Sequence, residues 1–180
     1  MRIWIAFLKG INVGGNNKIR MKDLVEEFQT LGFSEVRTYI QSGNVVFQHN
    51  RGNAKSLSTL ISTAIQSRFG ISSQTIILST QDLDRAIGAN PFPEIQSDLE
   101  AKFLHLYFLA RPSTKFDQIR LDAIKRPSER WTFKDNVFYL HTPEGSGDSK
   151  LATQIEKIVG APATARNLRT VLAIQNLALK

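Results

Sequence analysis

The chain has 180 residues, 42% hydrophobic and 22% charged, enough to fill one domain or two closely packed halves without extensive disorder. It has no cysteine, which excludes thiol catalysis, disulfides and thiolate-held zinc or iron–sulfur clusters. A formal charge of +7 favours partners carrying phosphate or another anionic surface, although solubility alone explains such an excess equally well.

Ile3 to Leu8 is a short apolar run that predicts a strand buried on both faces. It is too short for a signal peptide and no spanning run occurs elsewhere, so a cytoplasmic protein without membrane association is expected. The strand runs into a loop containing Gly10, Asn12, Gly14, Gly15, Asn16 and Asn17, residue types that tolerate positive φ. Lys9, Lys18, Arg20 and Lys22 surround it, with no acid before Asp23. Such a loop can aim backbone N–H groups at one point, which is the make-up of an anion cradle. A purely structural turn between strand and helix explains the same glycines. Gly10 and Gly15 have P-loop spacing, but Asn16 and Asn17 stand where Lys and Ser or Thr are needed, and G-x-G-x-x-G is absent.

Met21, Leu24, Val25, Phe28 and Leu31 then recur at helical spacing, and Gly32 ends the helix. Val36 to Ile40 and Asn44 to Gln48 predict a hairpin whose tip, with Gln41, Ser42 and Asn44, offers amides and a hydroxyl; turn geometry alone also accounts for Gly43 and Asn44. Asn53 caps a helix that Gly70 closes, Thr75 to Leu78 is a strand, and Thr80 caps a short helix. Asn90 to Lys102, with Pro91 and Pro93, reads as the junction between halves 1–90 and 91–180.

The second half repeats the order. A strand is expected at Phe103 to Leu109, a helix at Thr114 to Lys125 with Phe116, Ile119, Ala123 and Ile124 inward, and a hairpin across Asp135 and Asn136. A helix from Leu151 closes at Gly160, and a short strand, Ala163 to Arg166, leads to a final helix capped by Asn167. The expected fold is α+β, two pseudo-duplicated ferredoxin-like (split βαβ) halves, with a single larger mixed sheet as the alternative.

Two further groups join the candidate ligand-binding residues. Ser149 and Lys150 follow a second glycine loop, Gly145 to Asp148, at a helix start, where ordinary N-capping is the competing explanation. Arg166, Asn167 and Arg169 put cations at another helix start, against the macrodipole; a bound anion or a salt bridge would relieve that conflict. His49, His105 and His141 have no metal-ligand spacing, so no metal and no cofactor is expected. Trp131, Phe133, Phe138 and Tyr139 have the character of a base-stacking surface, but no RNP-type sequence accompanies them and pairing within the hairpin explains them better.

Over nearly its whole length the chain resembles the bacterial family called domain of unknown function 1697. The resemblance rests on FLKGINVGGNNKIRM from Phe7, VRTYIQSGNVVF from Val36, NPFP from Asn90, TPEGSGDSKL from Thr142 and TARNLRTV from Thr164. It implies an α+β fold and supplies no activity, substrate or cofactor. Asp148 and Leu168 depart from the pattern, which usually has a basic residue and a Trp there. Three functions follow from the residues: a binding protein for a phosphate-bearing ligand, nucleic acid or a phosphorylated small molecule, with nucleic acid preferred; an enzyme on a small anionic substrate in a cleft between the halves; or an interaction module without ligand.

Overall fold

The computed structural model describes residues 1–95 and 97–180; Gln96, inside the expected junction, lies outside the described residues. The first unit starts with β1 (Arg2–Leu8), α1 (Met21–Thr30), β2 (Ser34–Tyr39), β3 (Asn44–His49), α2 (Ala54–Phe69) and β4 (Thr75–Ser79). The four strands form one antiparallel sheet in the order β2-β3-β1-β4, the split βαβ arrangement. Alternation along the strands turns Trp4, Ala6, Leu8, Val45, Phe47 and Ile77 toward the helices, where they pack with Leu24, Phe28, Leu57, Ile61 and Ile65. Ile5, Phe7 and Val46, on the other face, are also buried. Burial on both faces is why β1 reads as an unbroken apolar run rather than an alternating one.

After β4 come α3 (Thr80–Gly88) and α4 (Asp98–Ala101), then β5 (Leu104–Leu109), α5 (Gln118–Ile124), β6 (Arg130–Lys134), β7 (Val137–His141), α6 (Lys150–Val159), β8 (Ala163–Asn167) and α7 (Leu168–Ala178). The second sheet has the order β6-β7-β5-β8 and repeats the antiparallel pattern of the first. The expected pair of pseudo-duplicated α+β halves is therefore what the chain builds. Its contacts group Met1–Arg85 with Ala173–Lys180, and Ala86–Leu172 separately, so α3 and α7 each contribute residues to both groups.

Several local signals act as expected. Asn53 makes a reciprocal capping box with Ser56 at the start of α2, and Gly70 ends that helix in the left-handed region. Asp135 and Asn136 take φ of 50° and 65° between β6 and β7, as a type I′ hairpin turn requires. Asn167 caps α7 by accepting the Thr170 N–H at 2.9 Å. At α3 the cap is Ser79 rather than Thr80: the Ser79 hydroxyl accepts the Asp82 N–H at 3.1 Å, and the Asp82 carboxylate accepts the Ser79 N–H at 3.0 Å.

The expected α5 stripe is corrected. Ile119 is 84% exposed, Phe116 41% and Ala123 also exposed, while Leu121 carries the buried contact. The helix begins only after Asp117, whose carboxylate accepts the Arg120 N–H, because the preceding segment is fastened elsewhere. The Ser113 hydroxyl donates to the Val159 carbonyl at 2.8 Å and the Thr114 hydroxyl to the Gly160 carbonyl at 2.9 Å. Phe116 then stacks on Phe133, ring centroids 5.2 Å apart, outside any helical period.

The tightest backbone approach in the first unit lies where the β2–β3 turn meets the end of β1. The Leu8 N–H donates to the Gly43 carbonyl at 2.8 Å, and a Cβ on Gly43 would stand 2.9 Å from Leu8 Cβ and 3.0 Å from its carbonyl oxygen. Gly43 also has φ of 70°. Gly43→Ala is expected to destabilise the protein by about 2–4 kcal/mol, combining left-handed strain with overpacking. Gly70→Ala, left-handed but with open space around the new methyl, should cost only about 1 kcal/mol. Denaturant midpoints of the two variants check this, and equal losses would refute the close-approach argument.

Candidate functional site

The loop from Gly10 to Arg20 is a small hairpin rather than a slack connection. Val13, Gly14, Gly15 and Asn16 form a four-residue turn closed by the Asn16 N–H on the Val13 carbonyl at 3.0 Å, with Gly14 and Gly15 at φ of 59° and 79°. Two successive positive φ values define a type I′ turn. Below the tip, the Asn12 N–H donates to the Asn17 carbonyl at 3.1 Å and the Asn17 amide to the Gly10 carbonyl at 2.9 Å.

Asn12 fixes the base of this hairpin. Its side-chain oxygen accepts the Ile19 N–H at 2.8 Å, and its amide donates to the carbonyls of Ile19 at 2.9 Å and Gln41 at 2.8 Å. That last bond ties the loop to the β2–β3 turn, so two stretches 29 residues apart form one structure. Between them lies a cleft of about 440 Å³. Asn12, Lys18, Arg20 and Gln41 supply its polar lining, Ile19 and Met21 its apolar wall, and Gly15 its rim.

Among the described residues, no hydrogen bond uses the backbone N–H of Gly14, Gly15 or Lys18, and the Lys18 ammonium has no ion-pair partner. Arg20 differs. Its guanidinium holds Asp23 through Nε at 2.7 Å and Nη2 at 3.1 Å, and this bonding raises its pKa. Arg20 also stands at the N-cap of α1 without capping it by a side chain. Asn16 is exposed at the hairpin tip. Ser42 and Asn44 lie in the neighbouring turn, where Asn44 is 1% exposed and its amide donates to the Tyr39 carbonyl and the Ser42 hydroxyl. Ile19 and Met21 carry no ligand-binding signal in the sequence, whereas Gln41 is part of the amide-bearing hairpin tip expected there. Gln41 is adjacent to Ser42 in the turn, but only the Asn12 bond reveals that this turn borders the loop.

The remaining candidates lie in the second unit. The Ser149 hydroxyl, 1% exposed, accepts the Ala152 N–H at 3.0 Å as the cap of α6, and Lys150 beside it is exposed. Arg166 is in β8, facing away from the side that bears Ala163 and Ala165; it donates to the Ala165 carbonyl at 2.8 Å, and burial lowers its pKa to about 10. It therefore stays charged at neutral pH. Asn167 is occupied by its cap, and Arg169 lies 3.7 Å from Asp98. The register puts the loop after β7 and the end of β8 at the same edge of their sheet, since His141 pairs with Leu104 and Asn167 with His105. The loop of Gly10 to Arg20 instead follows β1, and its counterpart in the repeat is the segment after β5. The two glycine-rich loops thus hold non-equivalent positions within their own units.

The fold defines the chain as a two-unit α+β protein with antiparallel split βαβ sheets, the first unit carrying a hairpin loop with backbone donors that no hydrogen bond uses among the described residues. The chain belongs to the family of proteins of unknown function DUF1697, whose model matches residues 1–139, a range that contains the loop and its cleft. It is similar in fold, with a TM-score of 0.68 over 98% of each chain and 21% identity, to the conserved bacterial protein SP0830 from Streptococcus pneumoniae. No curated protein matches it. Among the described residues no helix is long and apolar enough to cross a membrane, and no group of three His, Asp or Glu is placed to hold a metal ion.

No histidine is among the described residues that line this cleft. Burial lowers the pKa of His105, outweighing an opposing interaction with the Phe103 backbone, and burial with the nearby Arg130 lowers that of His141. A His whose folded pKa falls below 6.5 takes up its proton more readily in the unfolded chain, so stability is present above that pH and is lost as pH falls below it. The urea midpoint should therefore rise between about pH 5.5 and 7.5. His105→Gln should flatten that rise; an unchanged slope would show that His105 does not cause it.

Proposed function

We propose that this protein binds a phosphate-bearing partner at the loop of residues 10–20, the backbone of a nucleic acid being the favoured partner. The observation that carries the reading is that Gly15 and Lys18 line one cleft while offering, together with Gly14, backbone N–H groups that nothing else in the described chain uses. A phosphate oxygen is matched by such donors beside an ammonium, because charge-assisted bonds to fixed N–H groups need no rearrangement of the protein. Gly14 and Gly15 are the central residues of the type I′ turn, outside its closing bond, Lys18 follows two residues after it, and Asn12 fastens the base of the hairpin.

Two further features agree with the reading. Arg20 leaves α1 without a side-chain cap, so the positive end of the helix macrodipole begins at the cleft. Residues 13 to 18 are all exposed, which lets an extended backbone reach the donors. The formal charge of +7 would bring such a polymer in over a longer range.

The test is fluorescence anisotropy with a labelled single-stranded oligonucleotide between about 50 and 200 mM salt. Lys18→Ala should weaken binding about tenfold, the worth of one charge-assisted contact, and reduce the slope of log affinity against log salt by about one. Lys157→Ala, on α6, serves as the control. Equal affinities for the Lys18 and Lys157 variants, or binding indifferent to salt, would overturn the assignment.

A further inference from the structure

We infer that the cleft beside the loop seats one unstacked nucleotide, its phosphate on the Gly14, Gly15 and Lys18 donors and its base between Met21 and the Gln41 amide. The inference rests on the phosphate-binding reading above and specifies the ligand of that site. A cleft of about 440 Å³ is far larger than a phosphate needs and falls in the range of pockets that hold small organic ligands. Whatever brings the phosphate also brings a group that fills the rest.

The lining identifies the chemistry of that group. Asn12 has both of its amide donors committed to the Ile19 and Gln41 carbonyls and its side-chain oxygen already accepting the Ile19 N–H, so it chiefly shapes the wall. Gln41 is the reverse: the residue lines the cleft, its backbone carbonyl is held by Asn12, and its side-chain amide has no partner among the described residues. A primary amide on a fixed backbone presents one donor edge and one acceptor, the pattern that pairs with the edge of a nucleobase. Ile19 and Met21 supply apolar surface for the base face, and a thioether adapts to a flat aromatic partner. A phosphorylated sugar alone would leave that wall in contact with polar hydroxyls. In a duplex the bases are stacked inside and cannot enter, so the ligand class is single-stranded nucleic acid or a nucleoside monophosphate.

Calorimetric titration of the full chain with inorganic phosphate, ribose 5-phosphate and the nucleoside 5′-monophosphates tests this, with a single-stranded and a duplex oligonucleotide of the same sequence run in parallel. At least one nucleoside monophosphate should bind about tenfold more tightly than ribose 5-phosphate, and the single strand more tightly than the duplex. Gln41→Leu should bring that monophosphate down to the level of ribose 5-phosphate while leaving ribose 5-phosphate itself unchanged; Lys18→Ala should weaken all of them. If ribose 5-phosphate binds as well as every monophosphate, or Gln41→Leu changes nothing, the base site is overturned while phosphate binding stands. If neither the phosphorylated compounds nor the oligonucleotides bind, both readings fall.

Discussion

The first unit depends on one close approach: the β2–β3 turn lies directly against the end of β1, with no side chain between them. Gly43 makes that contact through its carbonyl and leaves no room for a Cβ, and Asn12 extends it by bonding the Gln41 carbonyl from the loop side. A backbone group held this close is fixed by several hydrogen bonds at once, so neither the turn nor the loop can shift independently. The stretches around FLKGINVGGNNKIRM and YIQSGNVVF, separate in sequence, are the two sides of a single joint.

The repeated topology makes the difference between the units instructive. In the second unit the segment after β5 occupies the place that the glycine loop occupies after β1. There the hydroxyls of Ser113 and Thr114 are bonded to the end of α6, and the chain enters α5 late. In the first unit the corresponding segment satisfies itself internally through Asn12 and Asn17 and leaves its tip open. Both segments are largely exposed, but in the second unit this one is tied to the end of α6, and in the first it closes on itself as a hairpin.

The positive charge is less concentrated than its total suggests. Arg20 pairs with Asp23, Arg68 with Glu26 and Glu27, Arg85 with Asp82, Arg126 with Glu144, Arg130 with Glu94 and Arg169 with Asp98. Exposed pairs of this kind add little stability, but they hold each guanidinium in place and lower its pull on a distant anion. Arg130 also lies over the Phe92 ring at 4.7 Å, so the NPFP stretch is fastened by cation–π contact as well as by charge. Among the described residues the Lys18 ammonium has no ion pair, as is also true of Lys22 and Lys150; what sets it apart is its place in the lining of the cleft.

Periodicity, caps and turn residues in the sequence determined the element order, the paired antiparallel halves and the presence of an unusual loop after the first strand, because those signals depend on neighbours within a few residues. The α5 stripe was read wrongly for the same reason: nothing local to Phe116 or Ile119 shows that Ser113 and Thr114 are bonded to residues nearly fifty positions later. Asn12 was legible as a tolerant loop residue and Gln41 as an amide at the hairpin tip, but the bond between them, which joins loop to turn, was not. Which donors stay free, and which of the candidate cations meet an acid, is decided by contacts between distant segments, and only the tertiary structure brings those together.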